Sequence, residues 1–420
     1  MKRMVFAITM VSVLALLTVP VIAGSPGAYD SMVTGKGDPV YDIKAVQDAV
    51  DKGGKVLLKG TFDFGKKGKV SIKNDIEIIG ETDTQGLPLT KIKGGFWTFN
   101  SPLPSKESPP EAPGPKIAIR GIHFDGAVWT PLHFAYTSGA EISGNKITNV
   151  IPNEVPFKLK SGETLLWQSG AVFGTRLVTK TKLMPGAVTG NLIFENNEVD
   201  LKNDKPQITL GQGVWTVLTW GATIQIRGNV FTNVSRNSIE SLDNYIDKEG
   251  RGMVIIKDNK VITPTVGIPF PSPSTPNGIV AGWFVDPSGG IDPARYSKIV
   301  IMGNYVEVRG DTSMGIYISS DGAVMRSNEI LVGGGSKAKG IMQLGSNGLI
   351  ANNKVQGSGQ CAVFTMRLKT FAGSRNTFVA NNISTFKASM AHVLLQGDDN
   401  LLVGACGKVI DKGKGNKNLE

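Results

Sequence analysis

Three aspartates, Asp243, Asp286 and Asp321, each close a short apolar run in the segments SRNSIESLDNYID, GIVAGWFVDPS and GIYISSDG. Carboxylates held about 5 Å apart serve retaining glycosidases as nucleophile and acid, and a wider gap of roughly 6.5–9.5 Å admits the water of an inverting one. Oxygens converging from several carboxylates also suit Ca²⁺. Glu240 and Arg236 share a stretch with Asp243, and an arginine beside carboxylates can neutralise a uronate before proton abstraction. The catalytic candidates are therefore Glu240, Asp243, Asp286 and Asp321 with Arg236. No resident cofactor is implied beyond Ca²⁺. A second reading stands beside this one: Asp243-Asn244, Asp286-Pro287 and Asp321-Gly322 are common turn pairs, and such aspartates shape corners without chemistry.

The elements that must position these residues come from a repeat. An apolar residue, two small or polar ones, an asparagine, one more residue and an apolar one recur as ISGNKI, FENNEV, IRGNVF, IKDNKV, IMGNYV, MRSNEI, IANNKV and, more loosely, VANNIS. The asparagines are 145, 197, 229, 259, 304, 328, 353 and 382, in steps of 52, 32, 30, 45, 24, 25 and 29 residues. A floor near 24 with occasional excess predicts a solenoid whose turns have a minimum length, extra residues being looped out at corners. Each coil reads as three short strands with Gly, Asn, Asp and Ser at the bends. Corresponding residues then stack about 4.8 Å apart, and the asparagines form a corner ladder of amides. This spacing would bring Asp243, Asp286 and Asp321 together along one edge.

Asp42–Lys52 is the one convincing helix, with apolar residues at 43, 46 and 50 and Asp42 as its N-cap. A solenoid end exposes unpaired backbone, and this helix is expected to plug it. The stretch DIKAVQDAVDKGGKVLLKGTF at Asp42–Phe62, then IAIRGIHFDGA at Ile117–Ala127 and the asparagine phrases, resembles the pectate-lyase-like superfamily across roughly residues 38–412. That resemblance implies an all-β fold, a right-handed parallel β-helix of three sheets. It also implies that glycan chains are bound on the exterior of each coil's first strand. The superfamily spans lyases, polygalacturonases, esterases, epimerases, tailspikes and non-catalytic surface proteins. Of the polygalacturonase elements only an Asp-Asp is present, Asp398-Asp399, near the C-terminal end, and the calcium-aspartate and arginine elements of pectate lyases are missing.

Reading outward positions of that strand gives Glu240, Val280, Tyr317, Met342, Phe364 or Val363, and Leu394, of which one is ionisable. Such a strip counts against pectin-type catalysis and suits a scaffold that contacts another surface. Trp167, Trp215, Trp220, Trp283 and Tyr296 lie in or near the loops, as sugar-stacking rings or as loop anchors. His123, Asp125 and His133 make a metal trio only in composition, since their spacing matches no ligand pattern. Cys361 and Cys406 fall on different edges of the coil, which favours two buried thiols over a bridge.

The expected organisation is a signal peptide at 1–23, a β-helix domain at 24–410 with its helix near 42–52, and a basic tail at 411–420. Long insertions near 101–115, 151–190 and 263–297 would wall a groove. Lys2-Arg3, an apolar run to Val21 and Val21-Ile22-Ala23 read as an export signal, placing the protein outside the cell or in the periplasm. Removing 1–23 lowers the net charge from +10 to +8, since Lys2 and Arg3 are its only charges. That basicity suits an anionic partner, and no nucleic-acid-binding module is present. The function expected is binding or processing of a carbohydrate polymer, a cell-envelope glycan or an anionic polysaccharide, by a lyase- or glycosidase-like site. The alternative is a non-catalytic envelope scaffold. N-terminal sequencing of the exported protein should begin near Gly24, whereas an intact Met1–Ala23 in a membrane fraction would establish an anchor.

Overall fold

The computed structural model describes residues 29–419 apart from 105–111, 160, 175–186, 265–274, 284–295, 369–370 and 405–406. Its strands form three sheets, here A, B and C, with 14, 11 and 13 strands. One coil shows the plan: Met314–Ile318 in sheet C, Val324–Arg326 in sheet A, a corner at Asn328, then Glu329–Gly333 in sheet B. Each strand pairs in parallel with its counterpart one coil away, as Ile316 does with Ile341 and Ile330 with Val355. The single antiparallel strand pair among the described residues joins Asn153–Lys158 to Thr164–Phe173.

The repeat phrase now has a physical meaning. Its first apolar residue is the sheet A core position, stacked as Ile142, Phe194, Ile226, Ile256, Ile301, Met325 and Ile350. Its last is the sheet B core position, stacked as Ile147, Val199, Phe231, Val261, Val306, Ile330 and Val355. All are fully or almost fully buried, each worth roughly 1.5–3 kcal/mol of burial. Between them, from Asn197 onward, each ladder asparagine's Oδ1 accepts the backbone N–H of the asparagine one coil below: Asn229 from Asn197 at 2.9 Å, Asn259 from Asn229 at 3.1 Å, Asn304 from Asn259 at 3.0 Å; the first, Asn145, accepts from Ile122 N at 3.0 Å. The Nδ2 groups bond the next Oδ1 and a carbonyl of a lower coil, as Asn304 does with Asn328 and Ile256. The side chains thus complete a turn too tight to satisfy its own backbone.

Sheet C closes against sheet B through a second stack. Gly213, Gly278, Gly315 and Gly340 face the sheet B core, where a Cβ would stand 2.2–2.4 Å from Phe231 Cδ1, Val306 Cγ1, Ile330 Cγ2 and Val355 Cγ1. No side chain fits, which is why a glycine precedes the apolar core residue at Ile279, Ile316 and Ile341.

Three expectations shift by small amounts. The helix runs Pro39–Lys52 and its N-cap is Asp38, whose Oδ1 accepts from Val40 and Tyr41 at 2.9 Å. Proline at the first helical position favours that earlier start. Asp42 is instead buried one turn in, where its carboxylate accepts the backbone N–H groups of Lys36, Gly37 and Asp63. The last ladder member is Asn381 rather than Asn382: its Oδ1 accepts from Asn353 N at 3.0 Å, while Asn382 is exposed. The repeat frame fits FVANNI, Phe378–Ile383, one residue earlier than VANNIS, because both flanking positions must be apolar and buried. Within the basic tail, Lys417–Leu419 adds a strand to sheet A against Leu401–Val403.

The register of that final rung is testable. Asn381→Ala should cost roughly 2–3 kcal/mol by orphaning the Asn353 N–H, and Asn382→Ala should stay within about 0.5 kcal/mol, both read by denaturant unfolding.

Candidate functional site

The long insertions fall at the two corners flanking sheet C. Residues 152–163 and 264–276 precede its strands, and 174–190, 283–297 and 366–376 follow them. The face so flanked is the outer face of sheet C, and its side chains differ from those of the other two sheets.

On sheets A and B the outward charges pair from coil to coil. Arg120 bridges Glu77 and Glu141 at 3.1 and 2.9 Å, Arg227 meets Glu195 at 2.6 Å, Lys91 meets Asp125 at 2.7 Å and Lys354 meets Glu329 at 2.8 Å. On sheet C the outward row runs Trp215, Glu240, Val280, Tyr317, Met342, Phe364, Leu394 and Ile410 in unbroken register. Phe364, not Val363, takes the outward place; Val363 is in the core. Glu240 is the only charge in this row.

Toward the N-terminal end the row meets a run of aromatic rings. Trp97 stacks on His133 at 4.3 Å and lies 5.3 Å from Trp129; Trp129 lies 5.6 Å from Trp167, and Trp167 4.9 Å from Trp215. Trp97, Trp129 and Trp167 are half-buried, each keeping part of its surface open. Trp97 and Trp129 are both held at positive φ, 52° and 72°. A bulky side chain there is disfavoured, and such strain clusters at binding sites.

Glu240 anchors a chain of buried hydrogen bonds across this face. The Trp167 indole N–H donates to Gln212 Oε1 at 2.5 Å; Gln212 Nε2 donates to Glu240 Oε2 at 2.9 Å; and Asn237 Nδ2 donates to the same oxygen at 2.5 Å. Asn277 Nδ2 then donates to Asn237 Oδ1, and Asn277 Oδ1 accepts from Met314 N. Neutral amides, with no cation, hold this carboxylate. It is 4% exposed.

The other described candidates, Asp243, Asp321 and Arg236, lie at bends or turns between strands. Asp243 is buried at positive φ, 54°, its N–H donating to Gly282 O and its carbonyl accepting from Leu218 N. The pairing of Leu242 with Gly282 carries Asp243 to the level of Trp283 in the next coil, a tryptophan where the acidic row needs a carboxylate. Asp321 is exposed and accepts the Ser346 N–H at 2.6 Å, capping the neighbouring turn. Asp286 lies outside the described residues. Arg236 is half-buried, its carbonyl accepts from Asn277 N, and its guanidinium makes no hydrogen bond or ion pair among the described residues. The turn reading thus accounts for Asp321, because a residue opening a turn aims its carboxylate at the nearest N–H rather than at a shared point. Among the described residues no three His, Cys, Asp or Glu side chains are grouped to hold a metal ion.

His123 and Asp125 lie on sheet B, where His123 Nε2 is 2.9 Å from Thr148 Oγ1, and His133 lies on sheet C. Cys361 is buried and free, and burial pushes its thiol up to about 12; Cys406 lies outside the described residues. Trp220, Tyr245, Tyr296 and Trp283 form a separate ring cluster at the corner after sheet C. Trp97, Trp129 and Gln212 escape reading by motif, because their partners are 28 to 45 residues away or sit at corners outside the repeat phrase, and Asn237, three residues from Glu240, belongs to no motif. The usable signal was Trp97 and Trp129 recurring one coil apart.

Burial, then the charge of Lys69, holds the His133 imidazole at about 4. Folded protein therefore keeps it neutral where the unfolded chain takes a proton below about 6.5. Its stabilising contribution is complete above that pH and drains as pH falls toward 4. On acidification from pH 7.5 to 4.5 the wild type should lose about 2–3 kcal/mol more than His133→Phe, which keeps a ring against Trp97. Denaturant midpoints at the two pH values decide it.

No protein-family model matches the sequence, and no curated protein matches it by sequence. Solved structures do. The Streptococcus pneumoniae surface protein and adhesin PfbA is 13% identical, with 87% of this chain and 99% of that one covered at a TM-score of 0.52. The A-module of an Azotobacter vinelandii mannuronan C-5 epimerase is 12% identical over 88% of this chain and 98% of its own, TM-score 0.42. A mannuronic acid specific family 6 polysaccharide lyase from human gut microbiota is 11% identical over 91% and 83%, TM-score 0.36. With three parallel sheets, a helix at the N-terminal end and this likeness, the chain belongs by fold to the right-handed parallel β-helix proteins.

Proposed function

We propose that this is an exported carbohydrate-binding protein whose sheet C face holds a glycan chain without cleaving it. The observation that carries the reading is the run of rings from Trp97 to Trp215 leading to Glu240. Flat aromatic faces present apolar area with a polar edge, which suits the C–H faces and hydroxyls of sugars. Rows of outward side chains one coil apart match a polymer laid along the solenoid axis. Cleavage by paired carboxylates needs a second acid at a set distance, and Glu240 is the only carboxylate of the described outward row. The adhesin name of PfbA is consistent with a β-helix working as a binding surface. Export rests on the apolar run behind Lys2-Arg3.

A glycan array followed by affinity electrophoresis, on protein lacking residues 1–23 and with and without Ca²⁺, tests this. A polysaccharide should bind and remain intact. Trp129→Ala and Trp167→Ala should each weaken binding at least tenfold, about 1.4 kcal/mol or more, with little change in Tm. Depolymerisation that disappears in Glu240→Gln would establish an enzyme instead.

A further inference from the structure

We infer that the sheet C face selects an uncharged glycan and rejects polyuronates, with Glu240 as the specificity-determining residue. This rests on the glycan-binding reading and adds the class of polymer.

The basic composition alone points the other way, toward an anionic partner. The structure shows that many of those cations are already spoken for: on sheets A and B lysine and arginine meet carboxylates of adjacent coils. The sheet C row offers no cation at all between Trp215 and Ile410. Next to Trp215 in the row stands one carboxylate, more than nine-tenths buried, whose Oε2 is held by two amides. Among the described residues its Oε1 takes no hydrogen bond. Beside it in register, the Trp215 indole N–H is buried without an acceptor among the described residues.

Native proteins rarely leave such groups unmatched, and each asks for an explanation. A sugar hydroxyl answers both needs, because it donates to a carboxylate oxygen and accepts from an N–H. A uronate carboxylate laid along the same row could accept from the Trp215 N–H but has no proton to give Glu240. It would also lie within a coil or so of a desolvated like charge. Repulsion there is far stronger than in water. Three cations lie near enough to oppose this: Arg236, half-buried beside Asn237; Lys69, whose Nζ is 5.8 Å from the Trp97 ring centre; and Lys339 of sheet C, whose Nζ is 6.0 Å from the ring centre of Phe364 in the row. The experiment must include them.

The test measures Kd of the purified protein for neutral polymers (a β-glucan, a mannan and an N-acetylglucosamine oligomer) against polygalacturonate and alginate of similar length. A neutral polymer should bind at least tenfold tighter than either polyuronate. Glu240→Gln keeps an acceptor and removes the charge, so it should strengthen polyuronate binding at least fivefold. Trp215→Phe keeps the ring and removes the N–H, and should weaken the neutral polymer several-fold without changing the polyuronate ratio. Wild-type preference for a polyuronate, lost in Arg236→Gln, Lys69→Gln or Lys339→Gln, overturns the inference while leaving glycan binding intact. An unchanged ratio in a folded Glu240→Gln overturns it too. Failure of every polymer to bind removes the glycan-binding reading itself.

Discussion

Apart from Asn153–Lys158, which pairs only with its neighbour in a hairpin, every described strand is hydrogen-bonded to a strand of another coil, and that constraint shapes nearly everything else in the structure. A coil on its own buries no complete core and satisfies few of its backbone groups. Stacked, it places like on like: isoleucine on phenylalanine on isoleucine inside, and asparagine on asparagine at the corner between sheets A and B. The corner asparagines matter because the bend there leaves backbone N–H groups unmatched within the coil. An amide supplies an acceptor upward and donors downward, so one residue type closes the turn and sets the register. Glycine does the corresponding work where sheets B and C approach too closely for a Cβ.

The same stacking governs the outer surface. Outward side chains form rows along the axis, and a row must be compatible with itself at one strand spacing. Stacked like charges repel, and on sheets A and B many outward charges instead pair with the opposite sign one coil away, although Arg227 and Lys257 are neighbours in register. The sheet C row from Trp215 to Ile410 carries Glu240 alone, with Lys339 lying over Phe364 beside it, and no ion pair joins its members. The corners that flank this sheet are also those where the chain departs from its minimum coil length. Stability and function are thus separated in space: two sheets and one corner keep the register, and the third sheet with its flanking segments varies.

Glu240 shows how this separation concentrates chemistry. A carboxylate on sheet A or B would meet a lysine or arginine one coil away. On sheet C it meets Trp215, Val280 and the amides of Gln212 and Asn237. Amides hold a charge in place without neutralising it, so its field remains available to whatever lies along the row. His133, stacked on Trp97, follows the same logic in reverse, kept uncharged by its burial.

How much of this was legible from residues alone follows from the range of each interaction. The repeat phrase carries the solenoid, because the apolar and asparagine positions answer to a local period that any reader of the chain can count. The strip Glu240, Val280, Tyr317, Met342 and Leu394 followed from alternation within each short strand. Where the phrase loosened, the frame slipped by one, at Asn382 for Asn381, because only burial of Phe378 and Ile383 distinguishes the two. Of the acidic row, Asp321 obeys the geometry of its own corner and turns to the Ser346 N–H, the level of Asp243 passes to Trp283, and Asp286 lies outside the described residues. The tryptophan run and the amides around Glu240 were decided by the tertiary structure. Apart from Asn237, three residues before Glu240, their partners lie one coil or more away in the chain, and coil lengths vary between 24 and 52 residues. No period in the sequence could bring Trp97 to Trp167, or Gln212 to Glu240; only the stacking of coils does.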